Sequence, residues 1–221
     1  MRPPMLAING GAPTIPKNTT FKPWPPISKL DEQMVIASLR QARHAYGPNC
    51  LALEKEFAKW NGNHFCNATN SGTAALHMCL AACGIGAGDE VITTALSWTS
   101  SATCILHQKA IPVFVDVEWR SMHMDPARIE AAITRKTKAI LVVHYWGVAC
   151  DMGPIMRVAR RHGLAVIEDA CRHTAPPTRA ARLGPLVMLP RSVSIRTRIS
   201  AAAKAVSSSV TTRPDSSAAR Y

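Results

Sequence analysis

Three groups of residues in this chain have types and spacings that could do chemistry. Asn70-Ser-Gly-Thr73 stands where an apolar run ends and a helical pattern begins. Small residues at a helix entrance leave backbone N–H groups unpaired and facing outward. The helix dipole adds partial positive charge there, so the turn is a seat for a phosphate. Gly72 lets an anion approach the backbone closely, and the Ser71 and Thr73 hydroxyls can add hydrogen bonds. An ordinary helix cap with nothing bound uses the same residues. The second group is Trp98, a flat aromatic just past an apolar run, where packing would also explain it. The third is Asp169, which with Glu168 closes the apolar run Leu164–Ile167. A helix cap or an ion-pair partner is its alternative role.

The elements that must position these groups are legible as periodic patterns. Seven prolines in residues 1–29 predict an extended N-terminal arm, taken as residues 1–30. Asp31–Arg43 is amphipathic, and Gly47-Pro48 breaks it; Cys50–Trp60 predicts a second helix ended by Gly62. A short strand then feeds Asn70–Thr73 and a helix with Ala75, Leu76, Met78, Cys79, Leu80 and Ala82, stopped by Gly84. Beyond it, strands alternate with helices: strand Val91–Ala95, helix Ser97–Gln108, strand Ile111–Val117. Asp125-Pro126 opens a helix through Ile133, with Pro at its first position. Strand Lys138–His144, helix Asp151–His162 and strand Leu164–Ile167 follow. Apolar strands alternating with helices predict an α/β fold, a mainly parallel sheet covered on both faces. Ligands of such sheets bind beyond the carboxyl ends of the strands. All three groups fall at those ends.

Composition bounds the partners. The net charge of +12 is uneven: residues 1–171 hold 17 Lys+Arg against 13 Asp+Glu, whereas 172–221 hold 9 against the single Asp215. A basic tail can bind nucleic acid, but its one aromatic, Tyr221, gives little for bases to stack on. The apolar runs are too short for a membrane-spanning helix, and the Pro- and Gly-rich start lacks a signal-peptide pattern. The seven cysteines form no Cys-x-x-Cys pair and mostly sit in apolar runs, which predicts buried thiols in a reducing cytoplasm. His144 and Cys150 have metal-ligand chemistry without a four-ligand spacing, so no metal is expected.

A phosphate seat, a flat aromatic and a carboxylate at one sheet edge meet the needs of pyridoxal phosphate. The phosphate goes to the helix entrance, the pyridine lies on the aromatic, and the carboxylate keeps the ring nitrogen protonated so that the ring can take up electrons. The sequence then resembles one family in particular. The runs that carry the likeness are Asn70-Ser-Gly-Thr-Ala-Ala-Leu76, Gly84-Ile-Gly-Ala-Gly-Asp-Glu-Val-Ile92, Pro112-Val-Phe-Val-Asp116, Thr137-Lys-Ala-Ile140, Val143-His144 with Gly147, and Ile167-Glu-Asp-Ala170. Together they are similar to the DegT/StrS aminotransferases, pyridoxal-phosphate enzymes acting on keto-sugars, usually nucleotide-linked, or keto-cyclitols. The resemblance covers roughly Leu6 to Cys171. It implies the large domain of the aspartate-aminotransferase fold (fold type I), here incomplete over residues 31–171. It also implies phosphate binding by Gly72 and Thr73, stacking by Trp98, pairing of Asp169 with the ring nitrogen, and a homodimer for an intact member. Leu6-Ala-Ile-Asn-Gly-Gly-Ala-Pro13 resembles members that aminate cyclitols or make aminobenzoate-type precursors.

The likeness stops after Cys171. The family continues with an Ala-His-Gly-Ala stretch, a Gly-x-Leu-Gly-Asp run, Phe-Ser-Phe and Lys-Asn-Leu, whose lysine forms the Schiff base with the cofactor. Here Arg172-His-Thr-Ala-Pro-Pro177 follows, and the only later lysine, Lys204, lacks that setting. No catalytic residue is therefore assigned, and Arg172 receives no role. A shifted frame restores the pattern. If each codon began with the last base of one codon here and ended with the first two bases of the next, Arg172–Thr178 would allow Ala-His-Gly-Ala-Thr. Arg182–Val206 would allow Val-Gly-Thr-Leu-Gly-Asp-Val-Ala-Thr-Phe-Ser-Phe-Asn-Gln-Asn-Lys-Asn-Leu-Ser-Gly-Gly-Glu-Gly-Gly. The lost lysine codon would straddle Thr197 and Arg198, the latter 29 positions past Asp169. A one-base frameshift near Cys171, in the gene or in its reading, also explains the Arg, Ser, Ala and Pro bias of residues 172–221, predicted to be a disordered tail. Three functions stay open on the sequence: an aminotransferase taking its amino group from glutamate or glutamine, an inactive remnant of that fold, and a basic nucleic-acid-binding protein.

Overall fold

The computed structural model describes residues 5–16, 18–21, 26–41, 43, 45–61, 65–171, 194–199 and 206–210. The chain divides into two compact units, Met1–His44 and Ala45–Tyr221. In the first, α1 (Lys29–Leu39) starts at a capping box: the Ser28 hydroxyl accepts the Asp31 N–H while the Asp31 carboxylate accepts the Ser28 N–H. None of the residues of α1 is buried.

The second unit is built on one seven-stranded sheet. Its strands are β1 (Asn67–Thr69), β2 (Glu90–Thr94), β3 (Ile111–Val115), β4 (Thr137–Val143), β5 (Ala165–Asp169), β6 (Ser194–Ile199) and β7 (Val206–Val210). They lie in the order β1-β7-β6-β5-β4-β2-β3. From β3 through β6 every neighbouring pair is parallel. β7 is antiparallel to both β6 and β1, so β1 runs in the common direction. All strands except β7 therefore end at one edge.

The apolar strands are buried on both faces because helices cover both. On one side α3 (Gly72–Ala82) and α4 (Ser100–His107) pack Leu76, Leu80, Cys104 and Ile105 against Val91, Leu141 and Ile167. On the other, α5 (Pro126–Ile129) and α6 (Met152–His162) set Ile129, Ile155 and Val158 against Ile92, Ile140 and Val166. α2 (Pro48–Asn61) precedes the sheet. Its Glu54 accepts the Ala68 N–H at 2.7 Å and the Tyr46 hydroxyl at 3.0 Å, tying α2 to β1.

The predicted elements are present, with three differences that matter. The predicted helix through Ile133 is a four-residue α5 continuing as a 3-10 turn, Glu130–Ala132. The strand predicted to stop at Ile167 runs on through Glu168 and Asp169, which pair with Val142 and Val143 of β4. The expectation of a disordered tail does not hold for residues 194–199 and 206–210, which form β6 and β7; the rest of 172–221 lies outside the described residues. β5 needs a partner on its free side, and β6 and β7 include the β-branched Ile195, Ile199, Val206 and Val210. Asp169 pairs in register with Thr197 of β6.

Candidate active site

Site geometry follows from strand alternation. Successive side chains point to opposite faces of a sheet, so Glu168 and Asp169 cannot share a role. Glu168 turns toward the α6 face, where its carboxylate meets His144 Nε2 at 2.9 Å. His144 Nδ1 accepts the Cys150 N–H at 3.2 Å, so the imidazole proton sits on Nε2 and is donated to Glu168. Both side chains are buried. His144 is buried just past the end of β4.

Asp169 turns the other way, toward α4, and is only 6% exposed. A buried carboxylate must have its oxygens satisfied. Oδ2 accepts the Ser101 hydroxyl at 3.2 Å, and Oδ1 accepts the Cys171 N–H at 3.1 Å. Ser101, buried in the first turn of α4, is also 2.6 Å from the Ser97 hydroxyl. The negative charge is felt locally: burial first, and then Asp169, push the Cys104 thiol up to about 12. Asp169 lines a cleft of about 150 Å³ with Ser97, Trp98, Val143, His144, Tyr145, Trp146 and Cys171. Trp98 is 73% exposed there, so it is not packing.

The α3 entrance, the candidate anion seat, sits at the same edge. Ser71 caps α3 by accepting the Ala74 N–H, and the helical ladder begins with Ala75 N–H to Ser71 C=O. The N–H groups of Gly72 and Thr73 precede that ladder and have no intrahelical acceptor. Thr73 Oγ1 lies 2.7 Å from Ser100 Oγ, which joins the α3 entrance to the α4 entrance. Of the four residues singled out from sequence, Trp98 and Asp169 line the cleft itself. Gly72 and Thr73 do not. Sequence reasoning missed Ser97, Ser101, Tyr145 and Trp146. Only the four-residue spacing of Ser97 and Ser101 hinted at a pair.

These residues fit the non-covalent contacts of pyridoxal phosphate. A partnered, buried carboxylate suits a cationic ring nitrogen, and an exposed indole suits its face. They do not supply a tether: Lys109, Lys136 and Lys138 sit at the amino ends of β3 and β4, the far edge of the sheet. Of the lysines that adjoin the described strands, none stands at the carboxyl edge.

Sheet order, two helical layers and this edge define the large domain of a fold-type I pyridoxal-phosphate transferase. A solved aminotransferase from Psychrobacter cryohalolentis superposes with a TM-score of 0.75 at 32% identity, over 88% of this chain and 50% of that one. A solved 3-amino-5-hydroxybenzoic acid synthase does so at 0.77 and 27% identity, over 89% and 51%. The profile of the DegT/DnrJ/EryC1/StrS aminotransferase family matches residues 25–184, and the chain belongs to that family. The spore coat polysaccharide biosynthesis protein SpsC of Bacillus subtilis is 44% identical, over 71% of this chain and 41% of its own length. An L-glutamine:2-deoxy-scyllo-inosose aminotransferase of Streptoalloteichus tenebrarius is 39% identical, over 82% and 44%. The chain thus spans less than half the length of these curated relatives. A solved sugar aminotransferase relative exists in a pyridoxal-phosphate form and another with bound pyridoxamine phosphate; pyridoxal phosphate is the family's cofactor.

Proposed function

We propose that this chain is the cofactor-binding part of an aminotransferase that passes an amino group from glutamine or glutamate to a keto-cyclitol or nucleotide-linked keto-sugar. The carrying observation is the buried Asp169, fixed by Ser101 and the Cys171 N–H beside the exposed Trp98. Asp169 holds the proton on the pyridine nitrogen, Trp98 covers one ring face, and Gly72 and Thr73 hold the phosphate. The bound cofactor supplies the electron sink that lets a proton leave the substrate carbon.

A second reading is favoured by the lysines at the far edge of the sheet: as it stands, the chain holds the cofactor without turning it over. Both readings meet in the frameshift. The register that sets Thr197 beside Asp169 puts the codon shared by Thr197 and Arg198 at the carboxyl edge. A lysine restored there would stand next to the site, able to tether the cofactor and move a proton. An intact, frame-restored chain is expected to pair as a homodimer.

The test compares the chain with its frame-restored version. Both should take up pyridoxal 5′-phosphate, seen as new absorbance at the edge of the visible range. Borohydride should fix the cofactor covalently in the restored chain alone. Uptake by neither would refute the proposal, and equal covalent trapping in both would refute the role of the shifted frame.

A further inference from the structure

Trp146 is held in a conformation that neither its neighbours nor its burial explains. Its backbone lies at φ 51° and ψ 22°, the left-handed region that bulky side chains avoid. Among the described residues three other non-glycine positions have positive φ, Tyr46, Lys109 and Met122, and none of them lines the cleft. Burial does not offset the strain, because the Trp146 side chain is 74% exposed. The indole is nevertheless held in place. It stacks on Tyr145, with ring centroids 5.2 Å apart and planes 21° from parallel. Tyr145 is half-buried against the core beneath. Strained backbone of this kind concentrates at ligand-binding sites, and rigid aromatic walls orient ligands in clefts.

We propose that Trp146 is the platform for the acceptor substrate: its indole takes the C–H face of a polyhydroxylated six-membered ring. The inference rests on the proposed cofactor site. With the cofactor ring on Trp98 and Asp169, whatever lies on Trp146 would share its cleft. In a free keto-cyclitol that is the ring itself, and in a nucleotide-linked sugar it is the hexose, with the base separated from it by the diphosphate. A ring of this class has an apolar face for the indole and hydroxyls for Ser97 at the same cleft wall.

The experiment uses the full chain loaded with pyridoxamine 5′-phosphate, titrated calorimetrically with 2-deoxy-scyllo-inosose and, separately, with GDP. Trp146→Ala should weaken the cyclitol by about tenfold, while Trp146→Phe should stay within about threefold of the parent. Pyridoxamine phosphate affinity should not change in either variant. Trp146→Gly should lose the cyclitol yet keep or raise the melting temperature, since glycine accepts the left-handed backbone. Cyclitol affinity indifferent to Trp146→Ala overturns the proposal, as does a loaded parent chain that binds no cyclitol. Two further results also overturn it: a Trp146-dependent affinity for GDP, which would make the indole a base platform, and a change of oligomeric state in place of a change of affinity. Failure of the parent chain to take up pyridoxamine phosphate is a separate result that removes the underlying cofactor site.

Discussion

The two edges of the sheet are built from the same strands and to opposite ends. At the amino edge, polar groups close on one another. The Glu90 carboxylate accepts the Thr134 and Thr137 hydroxyls, the Thr137 hydroxyl in turn accepts the Thr134 N–H at 2.9 Å, and Asp89 accepts the Gly86 N–H at 3.0 Å. At the carboxyl edge, a buried carboxylate is only partly enclosed, two indoles stand exposed, and one of them carries backbone strain. At the closed edge these groups are spent on one another. The open edge keeps donors, charge and aromatic surface available, which is where helix entrances and strand ends converge in a parallel sheet. Stability is stored at one end and recognition at the other.

Four measurements would break or sharpen that contrast. The largest effect belongs to Asp169→Asn, which removes the charge facing the cofactor's ring nitrogen. Losing a charge-assisted partner costs about 1.5–3 kcal/mol, so pyridoxal phosphate affinity should fall roughly tenfold to a hundredfold with little change in melting temperature. Glu90→Ala should do the reverse. Leaving two hydroxyls without their acceptor should lower unfolding free energy by about 1–2 kcal/mol in a denaturant titration, with cofactor affinity unchanged. If Glu90→Ala weakened cofactor binding as much as Asp169→Asn, the division between the edges would be wrong. Ser101→Ala removes one neutral hydrogen bond to Asp169, and affinity should drop only a few-fold, about 1 kcal/mol.

The most gradual effect concerns the thiols between the edges. Burial raises Cys83, Cys104 and Cys150 from an ordinary 9.0 to about 12. Below pH 9 both folded and unfolded chains keep these protons, so they add no pH dependence. As pH climbs from 9 toward 12 the unfolded chain loses them first, and stability should fall steadily. Denaturation midpoints at pH 8 and pH 10 measure this, and equal midpoints would show that these thiols are not shielded in solution.

Much of the fold was legible because its signals are local. Asp125-Pro126, Gly163 after a basic last turn, and the apolar runs of β2, β4 and β5 each act within a few residues. Asn70–Thr73 announced the α3 entrance for the same reason, through capping chemistry confined to one turn. The tail was less legible: its composition suggested disorder, yet two of its segments complete the sheet beside β5 and β1. Composition describes a segment alone, whereas an open strand edge recruits whatever extended backbone can pair with it.

The residues by themselves determined the alternation of strands and helices and the family. Only the tertiary structure decided which of two adjacent acids faces the cleft, that Ser101 holds Asp169 across 68 positions, and that Thr73 meets Ser100 across 27. It alone revealed Trp146 as a strained, exposed wall. Turn and period preferences are summed over neighbours along the chain, while hydrogen bonds and cleft walls depend on strand order and direction, which no local window of sequence contains.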